Sequence, residues 1–255
     1  MENTGFRFEF INQISQVDKD GWDSIASKHH PFVSYAFLHA LEASNSVNAE
    51  SGWQPQHLLI YQNDQLIGML PLYSKTHSYG EYVFDFAWAN AYHQHGLHYY
   101  PKLVAAIPFT PVTGSRLLLT ESVNHRETLP IILNGLKEFV SRQNFSSLHW
   151  LFVDQPFSQE LAEQNFLQRR SVQFQWFNRA YADFSDFLAH LTARRRKSIR
   201  KERNKMEAAQ ISIERVSHGQ ITEQQMAFFY RCYRQTYLKR SGHEGYLTES
   251  FFNML

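Results

Sequence analysis

The chain has 255 residues, of which 43% are hydrophobic and 15% aromatic, enough to build one large or two modest folded domains. Its 25 Lys and Arg against 24 Asp and Glu give a formal net charge of +1, which excludes a uniformly polycationic chain. The single cysteine, Cys232, excludes an internal disulfide and favours a reducing compartment. No apolar run reaches membrane-spanning length, and the first ten residues lack a signal-peptide pattern, so we predict a cytoplasmic protein.

The first quarter of the chain predicts a mixture of strands and short helices. In order, periodicity predicts a strand over 6–10, helices over 18–27 and 35–44, and strands over 57–61 and 65–73. Ser34 can cap the second helix, because its hydroxyl can accept a hydrogen bond from the first helical turn. Asn63 and Asp64 lie between the last two strands and indicate a hairpin.

The next segment, residues 73–89, mixes ionisable and aromatic side chains. Its polar members are Lys75, His77, Ser78, Glu81 and Asp85, and they alternate with large aromatic residues. An ordinary surface strand places polar and apolar groups on opposite faces, which this pattern does not allow. One solution is an aromatic-walled cleft with convergent polar groups, as in many ligand sites. The other is a core strand with satisfied hydrogen bonds, and the pattern leaves both interpretations open.

The remainder of the chain predicts alternating strands and helices. These elements are strands over 117–119, 148–153, 172–177 and 211–216, and helices over 129–140, 161–166, 184–191 and 221–238, with one more helix beginning at Tyr246. The last helical pattern is unfinished at Leu255, so we expect a fragment or a truncated chain.

Two further groups of residues could carry chemistry. His93, His95 and His98 are spaced as metal ligands can be, but Gly96 indicates a loop and no carboxylate or thiol is near in sequence. We therefore favour an exposed or aromatic-packed loop and predict no metal. Cys232 lies on an apolar helix face without a basic neighbour, and we do not predict it to be a nucleophile.

Residues 194–205 form a strongly basic segment with eight Lys and Arg and one acidic residue. On a helix, its cations fall along two lines: Arg196, Arg200 and Arg203 along one, and Arg194, Lys197, Lys201 and Lys205 along the other. Charge runs are usually solvated faces, but this excess favours contact with phosphate groups, which arginine binds in bidentate fashion. A nucleotide diphosphate, a coenzyme phosphate and an RNA backbone all stay open as ligands.

Four motifs carry a family resemblance. They are YSKTHSYGEYVFD at 73–85, YPKL at 100–103, PFTPVTGSR at 108–116 and RKSIRKER at 196–203. Together they resemble the FemAB-like family of predicted N-acyltransferases, which is concerned with peptidoglycan biosynthesis or recognition. The resemblance extends from about Pro31 to Leu255.

The resemblance implies an α/β (α+β) fold of two acetyltransferase-like (GNAT) domains in tandem. The first would occupy 1–167, and an incomplete second would occupy 168–255 and include a basic helix over 192–209. FemAB relatives transfer amino acids from aminoacyl-tRNA to a nucleotide-linked peptidoglycan precursor, and other superfamily members use acyl-coenzyme A. The coenzyme-binding signature of the superfamily is absent, since the segment 240–245 has the wrong spacing.

The resemblance leads to the hypothesis of an N-acyltransferase or aminoacyltransferase with an amine acceptor, such as a peptidoglycan precursor. His77, Glu81 and Asp85 are candidate bases, because the attacking amine must be neutral, and Lys75 or a backbone N–H is a candidate donor to the oxyanion. Expected substrate-binding residues are Ser78, Trp88, Phe109, Thr110, Arg116 and Trp176. Expected phosphate-binding residues are Arg196, Lys197, Arg200, Lys201 and Arg203.

The hypothesis includes no tightly bound cofactor. The donor would be acyl-coenzyme A or aminoacyl-tRNA. The partners would be a small-molecule or nucleotide-linked substrate and, if the donor is aminoacyl-tRNA, a tRNA. One alternative is a non-catalytic module that binds a cell-wall precursor, a peptide or another phosphate-bearing ligand. A second is an RNA-binding protein that uses the basic segment, against which the near-neutral net charge counts.

Overall fold

The computed structural model describes residues 5–255. The first ten residues were predicted to contain no signal peptide, and residues 1–4 of that segment lie outside the described residues. The chain divides into two compact units. One extends to Leu167 and also includes Glu223–Leu255, and the other comprises Gln168–Thr222. The fold is mixed α+β. The tandem GNAT-like domains over 1–167 and 168–255 stay a prediction.

The first unit contains two four-stranded sheets. Their strands are, in chain order, β1 (Phe6–Ile11), β2 (Trp53–Pro55), β3 (His57–Gln62), β4 (Gln65–Leu70), β5 (Leu72–Lys75), β6 (Lys102–Ala105), β7 (Leu118–Leu119) and β8 (Leu148–Trp150). One sheet has the order β1-β3-β4-β7 with antiparallel pairs throughout. The other has the order β2-β5-β6-β8, in which β6 and β8 are parallel and the remaining pairs antiparallel.

The predicted strand over 65–73 is two strands, and they belong to different sheets. Pro71 separates β4 from β5 and has no N–H to donate to a strand ladder. The chain therefore leaves the first sheet at Leu70 and enters the second at Leu72. As a result, Lys75 is the last residue of β5 in the second sheet, and its side chain is buried there.

The helices are, in chain order, α1 (Lys19–Ala26), α2 (Tyr35–Ala43), α3 (Phe86–Gln94), α4 (His125–Arg142), α5 (Gln155–Glu163), α6 (Phe184–Ala189), α7 (Ala193–Ala208), α8 (Glu223–Ser241) and α9 (Glu249–Met254). Short 3₁₀ turns occupy Ile14–Gln16, Pro31–Val33 and His218–Gln220. Side-chain caps begin several helices: Ser34 accepts from the N–H of Phe37, and Asp154 accepts from that of Phe157. None of the helices in the described residues combines the length and the apolar composition needed to span a membrane.

Two apolar clusters form the core of the first unit. The apolar face of α4 packs on the β1-β3-β4-β7 sheet, where Phe139 stacks on Phe10. The other cluster contains Trp22 together with Phe251 and Phe252 of α9. The C-terminal segment is thereby part of the first unit, since burying these rings removes a large apolar area from water.

The second unit consists of α6, α7, the 3₁₀ turn at His218–Gln220 and irregular backbone. The strands predicted over 172–177 and 211–216 were wrong, because both segments have irregular backbone in the structure. Within the described residues of this unit there is no strand to pair with them, and a lone strand leaves its N–H and C=O groups unpaired. Most of their apolar side chains are accordingly exposed, and Phe174 is 98% exposed.

Candidate functional site

The segment between β5 and α3, residues 76–85, has its charged groups inside and its aromatic groups outside. Ser78, Glu81 and Asp85 are each at most 5% exposed. The large rings of the same segment and of the first turn of α3 are exposed, and they belong to Tyr79, Tyr82, Phe84, Phe86 and Trp88. This inverts the usual distribution of residue types between interior and surface. We call residues 76–85 the inverted loop.

Lys102 on β6 holds the inverted loop from the inside. Its ammonium is fully buried and donates three hydrogen bonds, to Ser78 Oγ at 2.9 Å, Glu81 Oε2 at 2.9 Å and Asp85 Oδ2 at 2.5 Å. An ammonium has three N–H groups, so this arrangement uses all of them. A single side chain thus fixes three positions of the loop, and buried charges are tolerated only when paired in this way.

The two carboxylates of the cluster differ in their surroundings. Asp85 Oδ2 also accepts a hydrogen bond from the Tyr99 hydroxyl at 2.7 Å. Burial alone would raise the pKa of Asp85, but hydrogen bonds to its charged form from Lys102, Ser78 and Tyr99 lower that pKa below its ordinary value. Burial raises the pKa of Glu81, and the attraction of Lys102 only partly opposes it. One oxygen of each, Glu81 Oε1 and Asp85 Oδ1, is buried without a hydrogen-bond partner.

Lys75 is the second buried ammonium of the cluster. Its Nζ lies 4.0 Å from the centre of the Trp53 ring and donates to the backbone oxygen of Tyr79 at 3.2 Å. Burial lowers the pKa of Lys75 from 10.5 to about 7, with an opposing attraction from Glu81 and a further lowering by Lys102. Burial therefore favours the uncharged form of the Lys75 amine.

The lowered pKa of Lys75 predicts a pH-dependent stability. Between pH about 7 and about 10 the unfolded chain binds a proton at Lys75 that the folded chain does not, so stability rises with pH by up to about 1.4 kcal/mol per unit. The Lys75→Met variant should lack this rise, whereas Lys19→Met, at an exposed position, should keep it. Urea unfolding of the three proteins across this pH range measures the difference, and parallel curves for all three would contradict the assignment.

His77 lies in the inverted loop but outside the cluster of buried charges. Its ring is half-buried and packs on Gly52, where an added Cβ would be 2.3 Å from Nε2. Its Nδ1 accepts from the N–H of Tyr79 at 3.3 Å. Burial and the nearby charge of Lys75 lower the pKa of His77. Of the three candidate bases, Glu81 and Asp85 both bind Lys102, whereas the His77 ring lies apart from them against Gly52.

Phe109 packs next to the inverted loop. Its ring contacts Trp53 and stacks on Tyr246 at 4.9 Å, and a Cβ at Gly80 would be 2.6 Å from it. Gly80 has φ +79, so glycine serves here for both the conformation and the close approach. Thr110, the next residue, bonds the backbone oxygen of Pro108 at 3.0 Å.

A comparison with protein-family models identifies the family of the chain. The FemAB-like model, described as peptidoglycan biosynthesis/recognition, matches residues 13–255. The chain belongs to the FemAB-like family. Among the curated proteins searched, none matches it. Membership confirms the family predicted from the four motifs and links the chain to peptidoglycan biosynthesis or recognition.

Arg116 of this FemAB-like chain is buried and bonded to backbone oxygens. Its guanidinium donates to the carbonyls of Leu151 at 3.0 Å, Gly114 at 3.0 Å and Val112 at 2.6 Å. Burial lowers the pKa of Arg116 to about 10. These contacts join the 112–116 segment to the end of β8. They show how the side chain is held, and its predicted contact with substrate stays a prediction.

The other predicted residues lie elsewhere in the FemAB-like chain. Trp88 is exposed on α3 and belongs to the outer aromatic surface. Trp176 lies in the second unit and stacks on Tyr181. The predicted phosphate-binding residues are all on α7 of the second unit: Arg196, Lys197, Arg200, Lys201 and Arg203.

The three histidines of the FemAB-like chain that were expected in a loop are exposed, but His93 lies in the last turn of α3. They are His93, His95 and His98, and His95 Nδ1 contacts the carbonyl of Ala91 at 2.8 Å. Among the side chains that the structure describes, no group of three or more His, Cys, Asp or Glu is placed to hold a metal ion.

Sequence reasoning missed Lys102 and Tyr99. Lys102 lies within a motif that carries the family resemblance, but we assigned it no role. A usable signal was present, because a lysine that enters an otherwise apolar strand such as β6 is buried only with a partner. Pairing Lys102 with the carboxylates of residues 73–89 would have predicted the centre of the cluster.

Proposed function

We propose that this FemAB-like protein is an N-acyltransferase or aminoacyltransferase that modifies an amine acceptor in peptidoglycan biosynthesis. The observation that carries the proposal is the inverted loop, with two carboxylates and two lysines inside and a row of exposed aromatic rings outside. Exposed aromatic surface is costly in water and favours a bound ligand. A tandem GNAT-like fold and a cytoplasmic location belong to the same proposal.

Glu81 is the best-placed general base in this proposal. Its raised pKa brings it closer to neutral pH than an ordinary carboxylate, and a base is most effective when its pKa is near the working pH. Its Oε1 has no partner in the cluster, whereas Oε2 is held by Lys102. Asp85, with a lowered pKa, stays charged and would attract a protonated amine before it loses its proton.

The proposed reaction is aminolysis of an activated acyl group. The acceptor nitrogen forms a bond to the acyl carbon, and the bond from that carbon to the leaving thiolate or ribose oxygen breaks. The proton lost by the amine goes to Glu81 Oε1 and then to the leaving group. Lys75 is the proposed donor to the oxyanion, because one N–H of its Nζ is bonded to the Tyr79 carbonyl and another can reach a substrate oxygen.

Access to these groups requires movement of the inverted loop. The cluster residues are nearly fully buried, so a substrate that binds on the aromatic surface reaches Glu81 only when the loop opens. Loop opening that admits and then encloses a substrate is a common step in enzymes. The donor in this proposal is acyl-coenzyme A or aminoacyl-tRNA.

A transfer assay tests the proposal. The purified chain is incubated with each donor class and with an amine-bearing peptidoglycan precursor, and products are identified by mass. The proposal predicts an acceptor that gains the mass of one acyl or aminoacyl group. A protein that retains a cell-wall precursor on purification but forms no product with either donor would contradict it and would support the alternative of a non-catalytic binding module.

A further inference from the structure

The outer side of the inverted loop contacts a segment from the far end of the chain. The Tyr82 hydroxyl lies 3.0 Å from the hydroxyl of Tyr237 on α8, 155 residues further along. The rings of Tyr82 and Tyr246 also pack edge to face, with 6.3 Å between their centres. The loop, α8 and Tyr246 all belong to the first unit. The loop is therefore held from outside as well as from inside.

Three positions with left-handed backbone meet at the ring of Tyr246. Gly80, Tyr82 and Phe109 have φ of +79, +58 and +59. Glycine adopts such angles freely, but a residue with a Cβ adopts them at a cost in free energy. Phe109 stacks on the Tyr246 ring at 4.9 Å. Burial raises the pKa of Tyr246, and a hydrogen bond from the Gly80 backbone opposes that rise. The contacts of this one ring thus compensate the strain at Tyr82 and Phe109.

The Tyr246 ring is itself attached to the core of the first unit. The hydroxyl of Tyr233 on α8 accepts hydrogen bonds from the N–H groups of Tyr246 and Leu247, at 2.9 and 3.0 Å. The Thr248 hydroxyl donates to the backbone oxygen of Ser44 at 2.9 Å, and the two rings of the following helix, α9, are buried in the core. Tyr246 therefore contacts the inverted loop from a fixed position.

We propose that Tyr237 and Tyr246 form a latch that keeps the inverted loop closed over the buried charges, and that the loop opens when its contacts with them break. We call these two residues the tyrosine latch. On opening, water can replace the hydrogen bonds that Lys102 makes, so their loss is partly compensated. Water does not replace the ring contacts of the latch in this way. Release also lets Tyr82 leave its strained conformation, which favours the open loop.

The inference rests on the proposed function in one respect, because it supplies the access step that the transfer reaction requires. It assigns that step to side chains outside the buried cluster. The tyrosine latch takes no part in the proposed proton transfer, so its substitution changes the opening of the loop without removing a reacting group.

The test is hydrogen–deuterium exchange of the full chain, read by mass spectrometry on peptides from residues 76–85 and from β3. Tyr237→Phe removes one hydroxyl and keeps the ring, so exchange in 76–85 should become about 2- to 10-fold faster. Tyr246→Leu removes the stacked ring and should accelerate it by at least about 10-fold. The matched control is Tyr35→Leu, at another half-buried tyrosine of the first unit, which should leave 76–85 unchanged. Exchange in β3 should be the same in all of these proteins.

Labelling of Lys75 with an amine-reactive succinimidyl ester shows whether opening uncovers the buried charges. In Tyr246→Leu, Lys75 should be labelled faster by the same factor as the loop amides exchange. Faster exchange with unchanged labelling would overturn the proposal, since the loop would then fray without uncovering the cluster. Unchanged exchange in both latch variants would overturn it too, as would equal acceleration in 76–85 and β3. If Tyr246→Leu fails to fold, Tyr237→Phe decides by the same criteria.

A failure of the proposed function and a failure of the latch are distinguishable. Exchange and labelling need neither donor nor acceptor, so a chain that forms no transfer product can still show opening that depends on the tyrosine latch. Conversely, a chain that forms product but shows no change in exchange on substitution of the latch would keep the proposed function and contradict this inference.

Discussion

The Lys102→Met variant should lose about 3–5 kcal/mol of unfolding free energy, the expected cost of leaving buried carboxylates without their cation. The ammonium of Lys102 supplies hydrogen bonds to Glu81 and Asp85, both nearly fully buried. Methionine fills a similar volume but donates no hydrogen bond, so the two carboxylates would repel each other in a medium of low polarity. Urea unfolding at neutral pH measures the loss.

Two further variants make the Lys102 result interpretable. Lys19→Met changes an exposed lysine and should alter stability by less than about 0.5 kcal/mol. The triple variant Lys102→Met, Glu81→Gln, Asp85→Asn removes all three charges and should recover part of the loss, because no buried charge is left unpaired. A loss below about 1 kcal/mol for Lys102→Met alone would show that the cluster is solvated and not the internal support of the inverted loop.

The Glu81→Gln variant should reduce the turnover number of the proposed transfer by about 10²–10⁴-fold, the usual contribution of a general base. Glutamine keeps the shape of the side chain and an oxygen that can accept from Lys102, so the loop should stay in place. The affinity for the acceptor should change much less than the turnover number, since Asp85 keeps its charge. Steady-state kinetics with the donor and acceptor found in the transfer assay measure both quantities.

The control for this experiment is Glu127→Gln, which removes a carboxylate from an exposed position on α4. It should leave turnover unchanged. If Glu81→Gln retained turnover within about threefold of the unmodified protein, Glu81 would not be the base. Catalysis would then depend on positioning of the two substrates, a contribution that needs no proton acceptor.

Local sequence signals predicted the elements whose causes are local. The helix beginning at Tyr35 follows from Ser34, which caps it as expected. The hairpin between β3 and β4 follows from Asn63 and Asp64, both of which have positive φ. These features depend on residues adjacent in the chain, so one sequence contains the information they need.

Elements that depend on distant partners were predicted less well. The segment 172–177 has the alternation of a strand, but a strand forms only with a neighbour to complete its hydrogen bonds. The predicted strand over 65–73 continued through Pro71, because local periodicity does not show that the chain moves there from one sheet to the other. Periodicity describes which faces are apolar and does not identify the element that covers them.

The candidate site was predicted in part for the same reason. The sequence of residues 73–89 shows an unusual mixture of charged and aromatic groups. The structure brings four of its polar residues together in the interior: Lys75, Ser78, Glu81 and Asp85. Lys102 is 17 residues away from Asp85 along the chain, and only the pairing of β5 with β6 places it at the centre. The aromatic rings were expected to wall a cleft, whereas Tyr79 and Phe84 are 60% and 76% exposed.

The pH dependence of turnover, compared between the unmodified protein and Glu81→Gln, tests the central claim most directly. A general base works only when deprotonated, so the rate of the unmodified protein should fall as the pH drops through the raised pKa of Glu81. The variant should be slow at every pH and should lack this acidic decline. An identical acidic decline in both proteins would place the base elsewhere and contradict the assignment of the transfer chemistry to the inverted loop.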